Sequence, residues 1–358
     1  MPALPRLLPA VLIAAVVCVS ATTAPASGKP RPCPAAGERV VVRSDDAVVV
    51  RHRAKHRRTT FAGCSPTTGR RVELGTAQAG RRRDAVVGPF AIGGTVVAWG
   101  TSTAVESRPE TADLHVVDLR RPRRLREAIV PHDLPIREVA VDALGRVAAL
   151  TEVEAVVLDG DMLRRVDAGA RGTLTGLALD GDDATWSHAG QPQRAPLTLP
   201  FGDCTPEEGA FQPIAGPQAV LAQRTSGLAD TSRIEIVACL RGSGGGFFAI
   251  GEERGELAGT VAAALRRDAS GGYSVNAVDL TTRAAIGAPV PLGHEYDPWA
   301  LARDGTIVVE RAGRLIAQLP DGRETEVAGN AAGTRFILVD DLLRTVVWDR
   351  GSAALPAG

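Results

Sequence analysis

Lysine is almost missing from this chain: Lys29 and Lys55 are the only two, and arginine carries nearly all of the positive charge. Basic and acidic side chains balance at 41 each. A chain without net charge lacks the field that would make nucleic acid or an acidic membrane surface its main partner. Aromatic residues are scarce at 4%, which weighs against a surface built from many sugar-stacking platforms; only Trp99, Trp186, Trp299 and Trp348 are large enough to serve well. There is no C-x-x-C, no H-E-x-x-H and no G-x-S-x-G elbow with a later histidine, so motif-coded zinc sites and a motif-coded nucleophile are excluded. The glycine run 242–246 is not followed by Lys-Ser/Thr, as a phosphate cradle requires, and reads as a hairpin. The acidic turns Asp159-Gly160-Asp161 and Asp180-Gly181-Asp182-Asp183 lack the distal Glu of a calcium loop and read as tight turns. No catalytic residue, cofactor or metal ligand is expected.

What is present begins with a secretory pattern. Arg6 is followed by the apolar run LLPAVLIAAVVCV and the small residues SATTAPAS, with cleavage points at Ala24-Pro25-Ala26 or Val19-Ser20-Ala21. The apolar run is shorter than the ~20 residues of a membrane span, so no span is expected once the signal, residues 1–26, is removed. Four cysteines then remain, Cys33, Cys64, Cys204 and Cys239, and an even number in an exported chain implies disulfides. Three pairings are open. Cys33 with Cys64 and Cys204 with Cys239 is preferred, because each bond then closes a loop within one repeat.

The chain is 358 residues long, more than one core usually serves, and it divides into copies of one unit. The clearest copy, residues 86–127, has four short β-branched runs, VVGPFAI, TVVAWG, LHVVDL and LREAIV, separated by turns. Four such strands make one antiparallel sheet. After a Pro-rich lead-in, residues 27–37, further copies are read in turn at 38–75, 136–168, 173–204, 213–251, 256–290 and 296–328. A final pair of strands around Asp340-Asp341 is left to close a ring against the first copy. Runs such as VVVR, AVVV and TIVVE are apolar at consecutive positions, the mark of strands covered on both faces. The expected fold is all-β, a β-propeller of seven four-stranded blades over residues 38–350, with six or eight blades still compatible and residues 351–358 as a C-terminal tail.

The segments ALARDGTIVV, residues 300–309, and VAVDALGRVAAL, residues 139–150, resemble the turn-plus-strand signature of TolB-like and WD40-like propeller repeats. That resemblance implies a propeller whose ring faces bind partners, and it carries no catalytic residue with it.

Two groups stand out as candidate binding residues. One is the basic stretch RHRAKHRR, with Arg51, Arg53, Arg57 and Arg58, which together with Arg81–Arg83 and the basic residues at 120–126 would form an anion-binding rim. The other is His294, Glu295 and Tyr296, which concentrate titratable and aromatic groups before the seventh copy. The expected function is that of a secreted, non-enzymatic propeller that binds a protein or another cell-envelope component through loops on one ring face. A sialidase-like or polysaccharide-cleaving propeller is the alternative, and a purely structural envelope protein the third. A cluster of carboxylates with arginine and tyrosine lining the central channel would favour the enzyme, and a channel mouth without convergent titratable groups the binder.

Overall fold

The computed structural model describes residues 32–357 except 54–57, 81–82, 106–107, 123–124, 161, 206–210, 227–232 and 245. The expected signal therefore lies outside the described residues. Every long element is a strand, and the only helical one among the described residues is a 3₁₀ turn, Pro131–Asp133.

The strands follow the chain as antiparallel meanders. The first comprises β1 (Arg39–Arg43), β2 (Val48–Arg53), β3 (Arg58–Cys64) and β4 (Arg71–Gln78). The second comprises β5 (Arg83–Gly93), β6 (Val96–Val105), β7 (Arg108–Asp118) and β8 (Arg126–Ile129), and the third β9 (Glu138–Val141), β10 (Val147–Leu150), β11 (Glu154–Asp159) and β12 (Met162–Ala168). The fourth has three strands, β13 (Leu174–Asp180), β14 (Asp183–His188) and β15 (Gln191–Pro196). The fifth also has three, β16 (Phe211–Ala215), β17 (Ala219–Ser226) and β18 (Arg233–Leu240). The sixth comprises β19 (Phe248–Ala258), β20 (Val261–Arg267), β21 (Tyr273–Asp279) and β22 (Ala284–Leu292). The seventh comprises β23 (Trp299–Leu301), β24 (Ile307–Arg311), β25 (Arg314–Gln318) and β26 (Glu324–Ala328), and the last β27 (Ile337–Asp340), β28 (Thr345–Trp348) and β29 (Gly351–Ala354).

Consecutive apolar positions are buried on both sides of these strands. In β6, Val97 and Trp99 pack toward the first meander while Val96 and Ala98 pack toward the third. In β10, Val147 and Ala149 face the second meander, whereas Ala148 and Leu150 meet Leu174, Trp186 and Leu197 of the fourth. In β20, Ala262 and Ala264 face the fifth meander and Val261, Ala263 and Leu265 the seventh. The period of two along a strand sends alternate side chains to opposite interfaces, so a run with no polar break is what a sheet stacked between two others needs. Each fully buried valine or leucine contributes roughly 1.5–3 kcal/mol.

Several features differ from the sequence reading. The strands left after residue 328 form a three-stranded meander of their own, β27–β29, which includes Gly351–Ala354 from the expected tail. The described strands thus form eight meanders, and not all have four strands. Gln78↔Ala85 joins the first two into one sheet, and β18 with β19 joins the fifth and sixth. The expected break at 251–256 falls inside β19, which continues through a bulge between Glu252 and Gly255. Gly251 allows that continuity, because a Cβ there would lie 2.4 Å from the Ala264 Cβ.

Closure also differs. Among the described residues β1 pairs only with β2, and β27–β29 pair only among themselves. The outer face of the first meander, Val48, Val50 and Ala62, is covered by the Cys33–Cys64 disulfide of the lead-in. Cys204 bonds Cys239, so the preferred pairing is the one formed. The last meander is held by packing: Phe336, Leu338 and Val347 press on Leu134, Val153 and Ala168.

Beside that contact lies a buried polar clamp. His188, at the end of β14, has no exposed surface. Its Nδ1 is hydrogen-bonded to Asp167 Oδ2 and its Nε2 to Asp340 Oδ2, both at 2.9 Å. The Trp186 indole N–H donates to the same Asp167 oxygen at 2.7 Å. Three meanders are thus tied at one imidazole. Gly169 makes room for it, since a Cβ there would stand 2.6 Å from His188 Nε2 and 2.5 Å from Thr173 Oγ1. Leaving a buried polar group without its hydrogen-bond partner costs about 1–3 kcal/mol. Asp340→Ala and His188→Ala are each expected to lose stability of that order in urea unfolding; a loss below about 1 kcal/mol would show the clamp to be incidental.

Candidate functional site

The basic stretches do not form a single rim. Arg51 and Arg53 lie on β2 and Arg58 opens β3, all exposed, with Arg58 Nε donating to Gln78 Oε1 at 3.0 Å; Arg57 lies outside the described residues. The register Arg58↔Gln78 places this end of the first meander beside the start of β5 at Arg83. Arg120 is at the opposite end, where Arg70 donates to its carbonyl, and its own guanidinium binds Asp118 at 3.0 Å. Arg126 is spent on the carbonyls of Gly145 and Gly160.

His294, Glu295 and Tyr296 lie in the connection between β22 and β23, and Tyr296 is 76% exposed. The turn is closed locally: Asp297 Oδ2 accepts from the His294 N–H at 2.8 Å, and the Asp297 N–H donates to the His294 carbonyl at 3.1 Å. The structure adds Tyr273 from the start of β21, whose hydroxyl donates to Glu295 Oε2 at 2.9 Å. Tyr296 is the chain neighbour of Glu295, so both tyrosines of the chain lie beside this carboxylate. The neighbouring phenols, Tyr273 first, hold the Glu295 carboxyl below its ordinary range, and the carboxylate in turn raises both phenols. The His294 ring lies 5.2 Å from Tyr296 and 6.5 Å from Tyr273, while Arg267 sits 5.7 Å over Tyr273.

This aromatic turn is joined to a group of charges inside the protein. The β19 bulge, with Glu253 at φ 62°, re-aims the strand. Arg254 then donates to the Asp297 carbonyl at 2.8 Å and lies 5.1 Å over the buried Trp299 ring. Two residues on, Glu256 Oε2 accepts from the Leu301 N–H at 3.2 Å and stands 3.8 Å from Arg165 Nη2 of β12. Arg165 Nη1 is 3.7 Å from Glu154 Oε1, and His132 Nε2 of the 3₁₀ turn is 3.8 Å from the same oxygen. Two carboxylates therefore share one guanidinium, between meanders that are far apart in sequence.

Glu154 has no exposed surface, and neither carboxylate oxygen receives a hydrogen bond among the described residues. Burial outweighs the attraction of Arg165 and pushes its pKa up to about 7. Burial, with Arg165 and Arg254 adding to it, pulls His132 down to about 4. Near neutrality the imidazole is therefore neutral and the carboxyl only partly ionised. Burial raises Glu256 as well, against the pull of Arg165 and Arg254. None of these residues was singled out from the sequence. The one local sign is Glu154 itself, which heads the otherwise apolar run EAVVLD on the same strand face as Val156 and Leu158.

No family model matches the chain, and no curated protein matches it. Among solved structures it is similar to the β-propeller domain of the Trilobed protease from Pyrococcus furiosus, at 10% identity over 88% of this chain and 92% of that one, with a TM-score of 0.30. It is similar to TolB from Acinetobacter baumannii at 13% identity over 82% and 79%, with a TM-score of 0.27. The uncharacterized protein lmo1340 from Listeria monocytogenes EGD-e gives 9% identity over 87% and 89%, with a TM-score of 0.30. At such scores the likeness carries no weight for what this chain does.

Glu154 makes stability depend on pH. Its carboxyl ionises near 4.5 in the unfolded chain and near 7 in the folded one, so its contribution is complete below 4.5 and is lost as pH rises through 7. His132 acts in the opposite sense, losing stability as pH falls from 6.5 toward 4. The Glu154→Gln variant isolates the first effect. The difference in unfolding free energy, variant minus parent, is expected to rise by about 3 kcal/mol between pH 5 and pH 8; a difference independent of pH would contradict a buried neutral carboxyl.

Proposed function

We propose that this chain is an extracytoplasmic binding protein of β-propeller type, and that the turn His294–Asp297 with Tyr273 and Arg267 is where it meets a protein or another cell-envelope component. The observation that carries this reading is the exposed Tyr296 beside the half-buried Tyr273, whose hydroxyl is held by the Glu295 carboxylate. Tyrosine presents an apolar body and a polar tip at low entropic cost, which is why it is enriched where proteins make contact. Arg254, Trp299 and the Asp297 carbonyl hold the turn from beneath, so the surface is set before a ligand arrives. The succession of stacked meanders supports the propeller reading, with eight units in place of seven. Two disulfides support a location outside the reducing cytoplasm. No helix among the described residues is long and apolar enough to cross a membrane.

Retention of the purified protein on the producing cell's envelope fraction is expected to fall at least roughly tenfold, about 1.4 kcal/mol, in the Tyr273→Ala/Tyr296→Ala variant, with stability unchanged. Equal retention by parent and variant would remove this surface from the binding reading.

A second reading, a propeller hydrolase, is favoured by one observation: Glu154 and Glu256 share Arg165, and Glu154 is raised to about 7, as a general acid requires. It ranks second because Glu154 is fully enclosed. An enzyme of this kind would cleave aryl glycosides in the parent and lose that turnover in Glu154→Gln; no turnover in the parent would dismiss it.

A further inference from the structure

The second meander brings together three side chains that the sequence scatters. Asp113 and His115 are two apart on β7 and share a face, and Glu127 on β8 stands directly opposite His115 in the register. Their donor atoms, one from each residue, all lie within 4.8 Å of one another, with His115 Nδ1 at 3.9 Å from Glu127 Oε2. The neighbouring strand β6 supplies the support. Thr101, opposite Asp113, bonds His115 Nε2 through its hydroxyl at 2.8 Å, and Trp99, opposite His115, stacks on the imidazole at 5.0 Å and 18°.

The ring is thus fixed in position and orientation while its other nitrogen makes no hydrogen bond among the described residues. Nδ1 is buried and lies 3.9 Å from Glu127 Oε2. A histidine whose second nitrogen is held by a hydroxyl or carbonyl is what a metal-ligating imidazole needs. Zinc-type bonds of about 2.0–2.2 Å require donor atoms to close to roughly 3.3 Å, and Glu127, with 55% of its side chain exposed, is free to swing inward.

We propose that Asp113, His115 and Glu127 form a binding site for a divalent transition-metal ion of the Zn2+ class, with His115 oriented by Thr101 and Trp99 and the remaining coordination positions open to solvent. One nitrogen and two carboxylate donors suit Zn2+ or Mn2+ in preference to the oxygen-only sites of Ca2+. The first meander and the aromatic turn play no part in it, so the site stands or falls apart from the binding reading above.

Isothermal titration of the untagged protein with ZnCl2 tests this, with Co2+ absorption reporting the donor set. The expected result is one equivalent bound, weakened at least tenfold by Glu127→Gln and abolished by Asp113→Asn/His115→Gln, with quenching of Trp99 fluorescence by Co2+ in the parent alone. CaCl2 is expected to compete poorly. Glu127→Gln alters only a half-exposed side chain, so loss of binding there is separable from misfolding, and circular dichroism of each variant checks the fold. No binding of Zn2+ at millimolar concentration would overturn the site, as would binding undiminished in the double variant, which would place the ion at an adventitious position elsewhere.

Discussion

The imidazole of His188 is the point at which distant parts of the chain are made to agree. Meanders stack on their sequence neighbours through apolar faces, and such stacking is tolerant of small slips. Contact between the last meander and the third and fourth is different. The last meander reaches the fourth across a separation of 152 residues at the bond from His188 to Asp340, and among the described residues no backbone ladder joins them. Two directional hydrogen bonds at a fully buried imidazole supply the specificity that apolar contact lacks. The bare Cα of Gly169 and the indole of Trp186 are shaped to that arrangement.

The strand β12 shows what this agreement positions. Its successive residues face different neighbours: Arg164 donates to the Pro196 carbonyl, Arg165 stands between Glu154 and Glu256, Asp167 accepts from His188, and Ala168 packs near Phe336. A displacement of the last meander would therefore alter the surroundings of Glu154 and His132 and, through Glu256 and Arg254, the support beneath the aromatic turn. Each charge in this path has another polar group nearby, yet Glu154 lacks the hydrogen bonds that would keep it ionised at neutral pH. A group so perturbed is a candidate for function as well as for structure.

Much of the fold was legible in the sequence because strand burial is a local property. VVAW, VAAL and VAAALRR each show that both faces are covered, and the turns between them are marked by glycine and aspartate. The disulfide pairing was legible for a similar reason, since each bond lies near one meander and its approach. Closure was not legible. Whether the last strands pair with the first sheet or pack against the third depends on contacts that leave no periodic trace. The charged interior escaped for the same reason: His132, Glu154, Arg165 and Glu256 belong to separate segments, and each alone reads as an ordinary solvated or capping residue. His294–Glu295–Tyr296 could be singled out because its groups are adjacent, while Tyr273, which completes it, comes from the other side of a hairpin.

The coupling between His188 and Asp340 tests the account most directly. A double-mutant cycle with His188→Gln and Asp340→Asn, measured by urea unfolding, is predicted to give an interaction energy of about 2 kcal/mol or more, because each side chain is held by the other. A coupling near zero, with the two substitutions simply additive, would mean that the last meander is joined to the third and fourth without help from this pair and would contradict the role given to this clamp.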